Sequence, residues 1–70
     1  EPGTVRIERD CWIGAKVFIM PNVTIGRHAV VGDNSVVNRN IPPYSVAVGA
    51  PARVIRYYDF DLKQWVAAHE

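Results

Sequence analysis

Branched apolar residues return at every sixth position through the first half of the chain. From Ile7 onward, each six-residue unit opens on isoleucine or valine, at Ile7, Ile13, Ile19, Ile25, Val31 and Val37. The fifth place of each unit is also small or apolar, and it holds Cys11, Val17, Val23, Ala29, Ser35 and Ile41. A six-residue period fits neither an α-helix nor a single long strand, and repetition at a fixed period is the signature of a stacked repeat architecture.

The order of residues within one unit predicts a short strand followed by a turn. The fifth place, the sixth place and the first place of the next unit form the strand, and the sixth place points to the opposite side from the other two. The remaining places hold turn formers such as Gly32, Asp33 and Asn34, because these residue types accept positive φ angles. Three units then close one triangular coil, and successive coils stack at a strand spacing of about 4.8 Å.

Coils of three six-residue units place residues 18 apart above one another. The rule predicts these inward columns: Ile7 with Ile25, Ile13 with Val31, Ile19 with Val37, Cys11 with Ala29, and Val5 with Val23 and Ile41. We therefore expect Cys11 to be a small core residue and not a nucleophile, since free cysteine is usually buried. The same rule brings Asp10 and His28 together at one corner of the triangle.

The sixth places should face outward, yet most of them are apolar. They hold Arg6, Trp12, Phe18, Thr24, Val30 and Val36. A contiguous apolar face of this kind is typical of an interaction site. We interpret it as a subunit interface, with room for a ligand cleft at its edge.

The repeat ends at Pro42 and Pro43, which cannot continue a hydrogen-bonded ladder. The segment 46–49 predicts one more strand, one residue out of phase with the repeat. We expect the β-helix and its terminal segment to occupy residues 1–56, and a tail of different character to occupy residues 57–70.

The tail predicts one short helix. Asp59 or Asp61 could cap its N-terminus, and Leu62, Trp65 and Val66 would share one face. On this interpretation the helix packs Trp65 against a face of the β-helix.

Composition excludes several functional classes. The formal net charge is +1, so nothing in the overall charge favours nucleic acid or a membrane surface. No apolar run approaches the roughly 18 residues that a membrane span needs. One cysteine cannot form an internal disulfide, and two histidines are too few for a three-histidine metal centre. We expect no metal, and the lack of a visible secretory signal favours the cytoplasm.

Two segments carry a resemblance to a known family. The first is "CWIGAKVFIMPNVTIG" at residues 11–26, and the second is "IPPYSVAVGAPARVIR" at residues 41–56. Together they resemble the hexapeptide-repeat acyltransferases, in particular the acetyl-CoA-dependent O-acetyltransferases of sugars and surface polysaccharides. The resemblance covers residues 5–58. It implies an all-β fold, a left-handed parallel β-helix, and assembly as a homotrimer.

The resemblance also implies that CoA lies in a groove between neighbouring β-helices. It places Trp12 at this groove, Ala15 beside the thioester through its backbone, and Asp33 next to the pantetheine arm, where relatives have a small residue. Ala47 and Gly49 would allow the pantetheine amides to approach the backbone closely.

The opposite end of CoA carries a pyrophosphate and a 3′-phosphate, which suit guanidinium groups. A planar guanidinium matches phosphate oxygens better than a point charge does. The resemblance assigns this end of the molecule to Asn38, Arg39, Arg53 and Arg56. Asn38 and Arg39 stand where relatives have a threonine and a lysine.

Relatives use a histidine as the general base that removes the proton of the acceptor hydroxyl. That histidine lies a coil or more before the position of Trp12, so we expect the base outside these residues and no catalytic residue within them. His69, in the polar tail, is expected to have no role. The implied function is the CoA-binding, C-terminal portion of an O-acetyltransferase acting on a sugar or polysaccharide.

Three alternatives remain open. The chain could be a non-catalytic β-helix used for trimerisation or as a scaffold. It could also belong to a nucleotide-sugar N-acyltransferase or to a serine acetyltransferase.

Overall fold

A computed structural model describes residues 3–68, and all regular structure within them is β-strand. Six two-residue strands come first: β1 (Arg6–Ile7), β2 (Trp12–Ile13), β3 (Phe18–Ile19), β4 (Thr24–Ile25), β5 (Val30–Val31) and β6 (Val36–Val37). Three longer strands come next: β7 (Ser45–Gly49), β8 (Ala52–Asp59) and β9 (Gln64–Ala67). The fold is a left-handed parallel β-helix with an antiparallel hairpin at its C-terminal end. Over the described residues, no helix is long and apolar enough to cross a membrane.

Each strand of the first coil pairs in parallel with its counterpart in the second coil. Arg6 pairs with Thr24, a step of 18 residues, and the same step relates β2 to β5 and β3 to β6. Backbone hydrogen bonds continue this ladder through the turns; the Trp12 N–H, for example, donates to the Ala29 carbonyl at 3.0 Å. The predicted stacking of the first two coils is therefore confirmed.

The step into the third coil is two residues shorter than the repeat predicts. Ile25 bridges Ile41, and Val30 pairs with Val46, so both steps are 16 residues. The predicted column of Ile41 above Val23 is wrong, because Ile41 lies above Ile25 instead. The last strand is two residues out of phase with the repeat and not one. Since the shift is even, the alternation of inward and outward side chains survives.

The shortened turn between β6 and Ile41 explains this shift. The Thr24 N–H donates to the Asn40 side-chain oxygen at 2.8 Å, and the Ile41 N–H donates to the Thr24 carbonyl at 3.0 Å. Asn40 thus completes the ladder above β4 with its side chain, and a full-length turn is not needed.

The buried core lies in the second coil and under the hairpin. Its fully or nearly buried members are Val23, Ile25, Ala29, Val31, Val37, Ile41, Ala47 and Ala52. The first coil is more open, and Ile7 is 47% exposed. Cys11 packs against the core from this open side, and its Sγ lies 3.0 Å from the Gly26 carbonyl. That placement agrees with the core role expected for Cys11.

Two serine hydroxyls are buried within this core, and both are hydrogen-bonded. The Ser35 hydroxyl donates to the Gly32 carbonyl at 2.7 Å and accepts from the Gly49 N–H at 3.2 Å. The Ser45 hydroxyl donates to the Pro42 carbonyl at 2.6 Å. These bonds offset the cost of burying a hydroxyl, and Ser35 links the second coil to the end of β7.

Residues with positive φ stack in columns at the corners of the triangle. Asp10, His28 and Tyr44 form one column, at φ of 60°, 59° and 56°, and Lys16 and Asn34 form a second, at 57° and 61°. In the first column, His28 Nε2 lies 3.5 Å from Asp10 Oδ2, which confirms the predicted corner pair. We call the column of Asp10, His28 and Tyr44 the aromatic corner.

The tail forms a strand, so the predicted helix is wrong. β9 pairs antiparallel with β8, and β8 runs without interruption past residue 56, across the expected start of the tail. Trp65 lies opposite Tyr58, and Val66 lies opposite Tyr57. A helix this short is marginal by itself, whereas β8 offers both backbone partners and aromatic rings.

Asp59, a predicted helix cap, caps the hairpin turn instead. The Asp59 carboxylate accepts hydrogen bonds from the Asp61 N–H at 2.9 Å and the Leu62 N–H at 3.0 Å. Lys63 then takes a φ of 57° and leads the chain into β9. The cap predicted for a helix is therefore the cap of a turn.

The glycines at the corners generate a stability prediction. A Cβ built on Gly26 would lie 2.5 Å from the backbone nitrogen of Pro43, whereas one built on Gly32 would meet the Val48 side chain at 2.7 Å. We expect Gly26→Ala to lower the free energy of unfolding by roughly 1–3 kcal/mol, since backbone cannot move aside. Gly32→Ala should cost less, because a side chain can shift. Denaturant unfolding of both variants measures the difference, and an equal or reversed order would contradict this packing.

Candidate functional site

One row of outward side chains crosses the five-stranded sheet from β2 to the hairpin. The sheet order is β2-β5-β7-β8-β9. Its register aligns Trp12 with Val30, Val30 with Val46, and Val46 with Arg56. Three strand steps give this row a length of roughly 14 Å. We call these four residues the outer row. It joins a 72% exposed indole at one end to an exposed guanidinium at the other.

A β-bulge brings a second arginine to the same face. Val46 lies opposite Arg56 and Val48 lies opposite Arg53, with the register shifting between Val46 and Ala47. Because of that extra residue in β8, two arginines three positions apart both lie opposite outward residues of β7. Strict alternation would have put Arg53 and Arg56 on opposite faces of the strand.

Asp33 links two coils at the corner beside the outer row. Its Oδ1 accepts a hydrogen bond from the Ala15 N–H at 2.8 Å, and the Ala15 carbonyl accepts from the Asn34 N–H at 2.9 Å. Both Ala15 backbone groups are therefore engaged by the coil above, although the residue is exposed. A Cβ on Gly14 would collide with Asp33, so the glycine makes room for this carboxylate.

A cavity of about 240 Å³ lies at the C-terminal end of the β-helix. Three of the predicted site residues, Asn38, Arg39 and Arg53, line it. The rest of its wall is Asn40, Ile41, Pro51, Ala52, Val54, Tyr57 and Ala68. No carboxylate is part of this wall, and Arg39 and Arg53 are its charged residues.

Sequence reasoning missed Tyr57 and Ala68 as members of this cavity. Ala68 reaches it because its N–H donates to the Ile55 carbonyl at 2.9 Å, as the hairpin returns along β8. Tyr57 lies opposite the buried Ser45, on the inward side of β8. Alternation within β8 could not have indicated Tyr57, because the bulge shifts the inward pattern that Ala52 and Val54 begin.

The two predicted backbone contacts at the end of β7 differ in accessibility. Gly49 is exposed at a φ of 105°, and its N–H is directed inward to Ser35. Ala47 is fully buried, and its carbonyl accepts from the Gly32 N–H at 3.0 Å. A ligand on this strand would touch its outward neighbours, Val46 and Val48, and not Ala47 itself.

His28 lies at the aromatic corner, which precedes β5, whereas Asp33 lies at the corner that follows β5. Its imidazole is held between the Asp10 carboxylate and the Tyr44 ring, whose centroid lies 4.7 Å away in a stacked arrangement. His69 falls outside the described residues. Among residues 3–68, no group of three His, Cys, Asp or Glu side chains could hold a metal ion.

Comparison with known proteins shows which families and structures this chain resembles. The profile of the bacterial transferase hexapeptide family (six repeats) matches residues 4–39. A provisionally named acetyltransferase of Staphylococcus aureus (strain COL) is 47% identical to this chain over 60 residues. That match covers 86% of this chain and 30% of the relative, so the chain spans about a third of the relative's length.

Solved acetyltransferase structures share the fold, among them complexes with coenzyme A and with acetyl coenzyme A. A galactoside acetyltransferase in complex with coenzyme A superposes with a TM-score of 0.76 at 47% identity, over 79% of this chain and 28% of the other. A hexapeptide-repeat acetyltransferase of Vibrio cholerae O1 biovar eltor, complexed with acetyl coenzyme A, gives the same TM-score of 0.76 and identity of 47%. It covers 79% of this chain and 30% of its own.

The Asp33 contact generates a prediction about the corner. Asp33→Ala leaves the Ala15 N–H without its acceptor and should lower the free energy of unfolding by about 0.5–1 kcal/mol, because the bond is exposed. Asp33→Asn keeps a side-chain oxygen and should lose less. Asp61→Ala removes the same charge from the hairpin turn and serves as the control. Thermal or denaturant unfolding measures all three, and a loss for Asp33→Ala no greater than for Asp61→Ala would contradict the contact.

Proposed function

The chain belongs to the bacterial transferase hexapeptide family, and on that premise we propose that it is the CoA-binding portion of an acetyl-CoA-dependent O-acetyltransferase. The acceptor is a hydroxyl of a sugar or polysaccharide, and the proposed location is the cytoplasm. One observation supports this most directly. The outer row joins an exposed indole to a guanidinium, and the cavity lined by Arg39 and Arg53 lies at the same end as that guanidinium.

The phosphates of CoA belong, in this proposal, at the hairpin end of the outer row. Arg53 and Arg56 share the outward face of β8, and Arg39 and Arg53 line the cavity with Asn38. Guanidinium groups bind phosphate oxygens through paired hydrogen bonds, and these arginines have no carboxylate within ion-pair distance among residues 3–68. The nucleotide end of CoA therefore meets free positive charge.

The pantetheine arm then extends along the sheet toward the first coil. Trp12 and Ala15 lie at that end, so the thioester is placed beside them. Asp33 lies between the two ends, with one carboxylate oxygen bonded to the Ala15 N–H. Its second oxygen can accept a hydrogen bond from a pantetheine amide. The carboxylate thus contributes to binding at a position where relatives have a small residue. Gly49 offers close approach on the other side of this arm.

The chemical step needs a general base. We assign that role to a histidine outside these residues, a coil or more before the position of Trp12. The base takes the proton of the acceptor hydroxyl as the hydroxyl oxygen attacks the thioester carbonyl. The acetyl–sulfur bond then breaks, and the sulfur leaves as a thiolate that takes the proton back from the base and becomes the thiol of CoA. His28 is not proposed for this role, because its ring is held between Asp10 and Tyr44. No metal takes part in the proposal.

We also propose assembly as a homotrimer. Trp12 is 72% exposed and Phe18 is 60% exposed, on two faces of the same coil. Three parallel β-helices around a threefold axis would cover these apolar faces and form a cleft at each interface, with Trp12 beside it. A non-catalytic scaffold would share the interface but would not bind CoA. CoA binding therefore separates the two functions.

The phosphate assignment predicts a loss of CoA affinity on removing the terminal arginines. Arg53→Ala with Arg56→Ala in the intact protein should weaken binding by roughly 1.5–3 kcal/mol for each charged hydrogen bond lost. The matched control is Arg6→Ala with Arg9→Ala, which removes two positive charges from the first coil. Isothermal titration with CoA at low salt is the measurement. Equal affinity for the terminal double variant and the parent would refute the assignment.

The assembly proposal predicts a concentration-independent trimer. Sedimentation equilibrium of the intact protein at micromolar concentration should give three times the mass of one chain. Trp12→Ser with Phe18→Ser should shift the distribution toward monomer, because the apolar area available for burial falls. Leu62→Ser, at the exposed hairpin turn, is the control and should leave the trimer intact. A well-folded monomer of the unaltered protein would overturn the interface.

A further inference from the structure

Five rings contact one another in an unbroken series from the β-helix to the hairpin. We call this series the aromatic ladder, and its members in order are His28, Tyr44, Phe60, Tyr58 and Trp65. The four centroid distances along it are 4.7, 4.8, 4.9 and 5.4 Å. The first contact is stacked and the other three are edge-to-face. These separations lie in the range in which aromatic pairs attract.

The ladder connects two parts of the fold that are otherwise joined mainly along β7. His28 and Tyr44 belong to the aromatic corner, whereas Tyr58 and Trp65 face each other across β8 and β9. Phe60 lies in the hairpin turn and touches both Tyr44 and Tyr58. Its ring joins the corner rings to the hairpin rings of the ladder.

Backbone and cationic contacts hold Tyr44 in place. Its N–H donates to the Arg27 carbonyl and its carbonyl accepts from the Tyr58 N–H, both at 3.0 Å. The Arg27 guanidinium carbon lies 5.5 Å from the Tyr44 ring centroid, within cation–π range. Tyr44 is therefore a fixed support, and Phe60 rests on it from the hairpin side.

The far half of the hairpin has little other apolar burial to fix it. Ala52 is buried and Val54 packs on the core. Beyond them β8 stays paired with β7 as far as Tyr57, but no later residue of the hairpin belongs to the buried core of residues 3–68. An isolated two-stranded hairpin is marginally stable in water. Apart from the backbone bonds to Tyr44 and β7, the position of this half therefore depends on the aromatic ladder.

Arg56 lies in the part of β8 that the ladder fixes. It is two residues from Tyr58, so both side chains project from the same face of the strand. Its neighbours across the sheet are Val46 and Ala67, and neither of them can hold a guanidinium by charge. The direction of the Arg56 side chain thus follows the direction of the strand.

We infer that Tyr44 and Phe60 are positioning residues, which hold β8 so that Arg56 is presented to the phosphates of the bound coenzyme. This inference rests on the proposed function for its second half. The first half, anchorage of the hairpin by the ladder, stands on the contacts alone. The two halves are tested by different readouts.

Phe60 offers a matched set of variants for the experiment. Phe60→Ala removes the linking ring, and Phe60→Tyr keeps it. Leu62→Ala truncates an equally exposed side chain of the same turn, at 60% against 59% for Phe60, and Leu62 is not part of the ladder. Each variant is compared with the unaltered intact protein.

The first readout is hydrogen exchange of the Tyr58 amide, which needs no ligand. Phe60→Ala should speed this exchange by about tenfold, the scale expected from losing two aromatic contacts. Phe60→Tyr and Leu62→Ala should exchange at nearly the unaltered rate. Unchanged exchange in Phe60→Ala, or equal acceleration in Leu62→Ala, would overturn the anchorage.

The second readout compares CoA with pantetheine, which lacks the nucleotide phosphates. Phe60→Ala should weaken CoA binding by roughly three- to tenfold, less than removal of a charged contact, and leave pantetheine binding unchanged. Phe60→Tyr should restore CoA affinity. Equal weakening of both ligands would show general disruption and overturn the positioning role.

A third outcome separates this inference from the proposed function. Unaltered protein that binds no CoA would overturn the proposed function, and with it the role of Phe60 toward phosphates. The exchange of the Tyr58 amide would still decide whether the aromatic ladder anchors the hairpin.

Discussion

Direct stacking of each coil on the previous one is the constraint on which the rest of this structure depends. The parallel backbone ladder pairs Arg6 with Thr24 and Trp12 with Val30. Side chains at equivalent places are therefore held one above another at about 4.8 Å. A residue type that recurs at one place of the repeat therefore forms a column through successive coils. Inward columns form the core, corner columns collect residues with positive φ, and outward columns become continuous surfaces.

The candidate site is an outward column that the end of the chain completes. Trp12, Val30 and Val46 are brought into line by parallel pairing, and Arg56 joins them because the chain reverses into β8. The bulge in β8 then puts Arg53 on the same side. A repeat by itself places similar residues along an outward column, so it cannot produce a surface that is aromatic at one end and cationic at the other. The reversal supplies the cationic end that a phosphate-bearing ligand requires.

The hairpin serves two purposes at once. Its inward residues, Ala52 and Val54, cover the last coil of the core, while its outward residues carry the positive charge. The open end of a β-helix would otherwise expose an unpaired ladder, which is a liability in any sheet protein. Covering the end and building the site are thus accomplished by the same eight-residue strand.

The sequence by itself determined the coils, their step of 18 residues and the outward position of Trp12, because a period of six leaves the backbone few ways to satisfy its hydrogen bonds. Its resemblance to a known family also indicated Asn38, Arg39 and Arg53, which the structure gathers around one cavity. The strand predicted at 46–49 is present as β7, but only the tertiary structure decided its register and the conformation of the tail. The 16-residue step depends on Asn40 bonding to another coil, and the tail becomes a strand because β8 is beside it. Thr24 is distant from Asn40 in sequence, and local pattern cannot report a bond to a distant neighbour. β8 is near β9 in sequence, but it is available as a partner because its pairing with β7 holds it in the sheet.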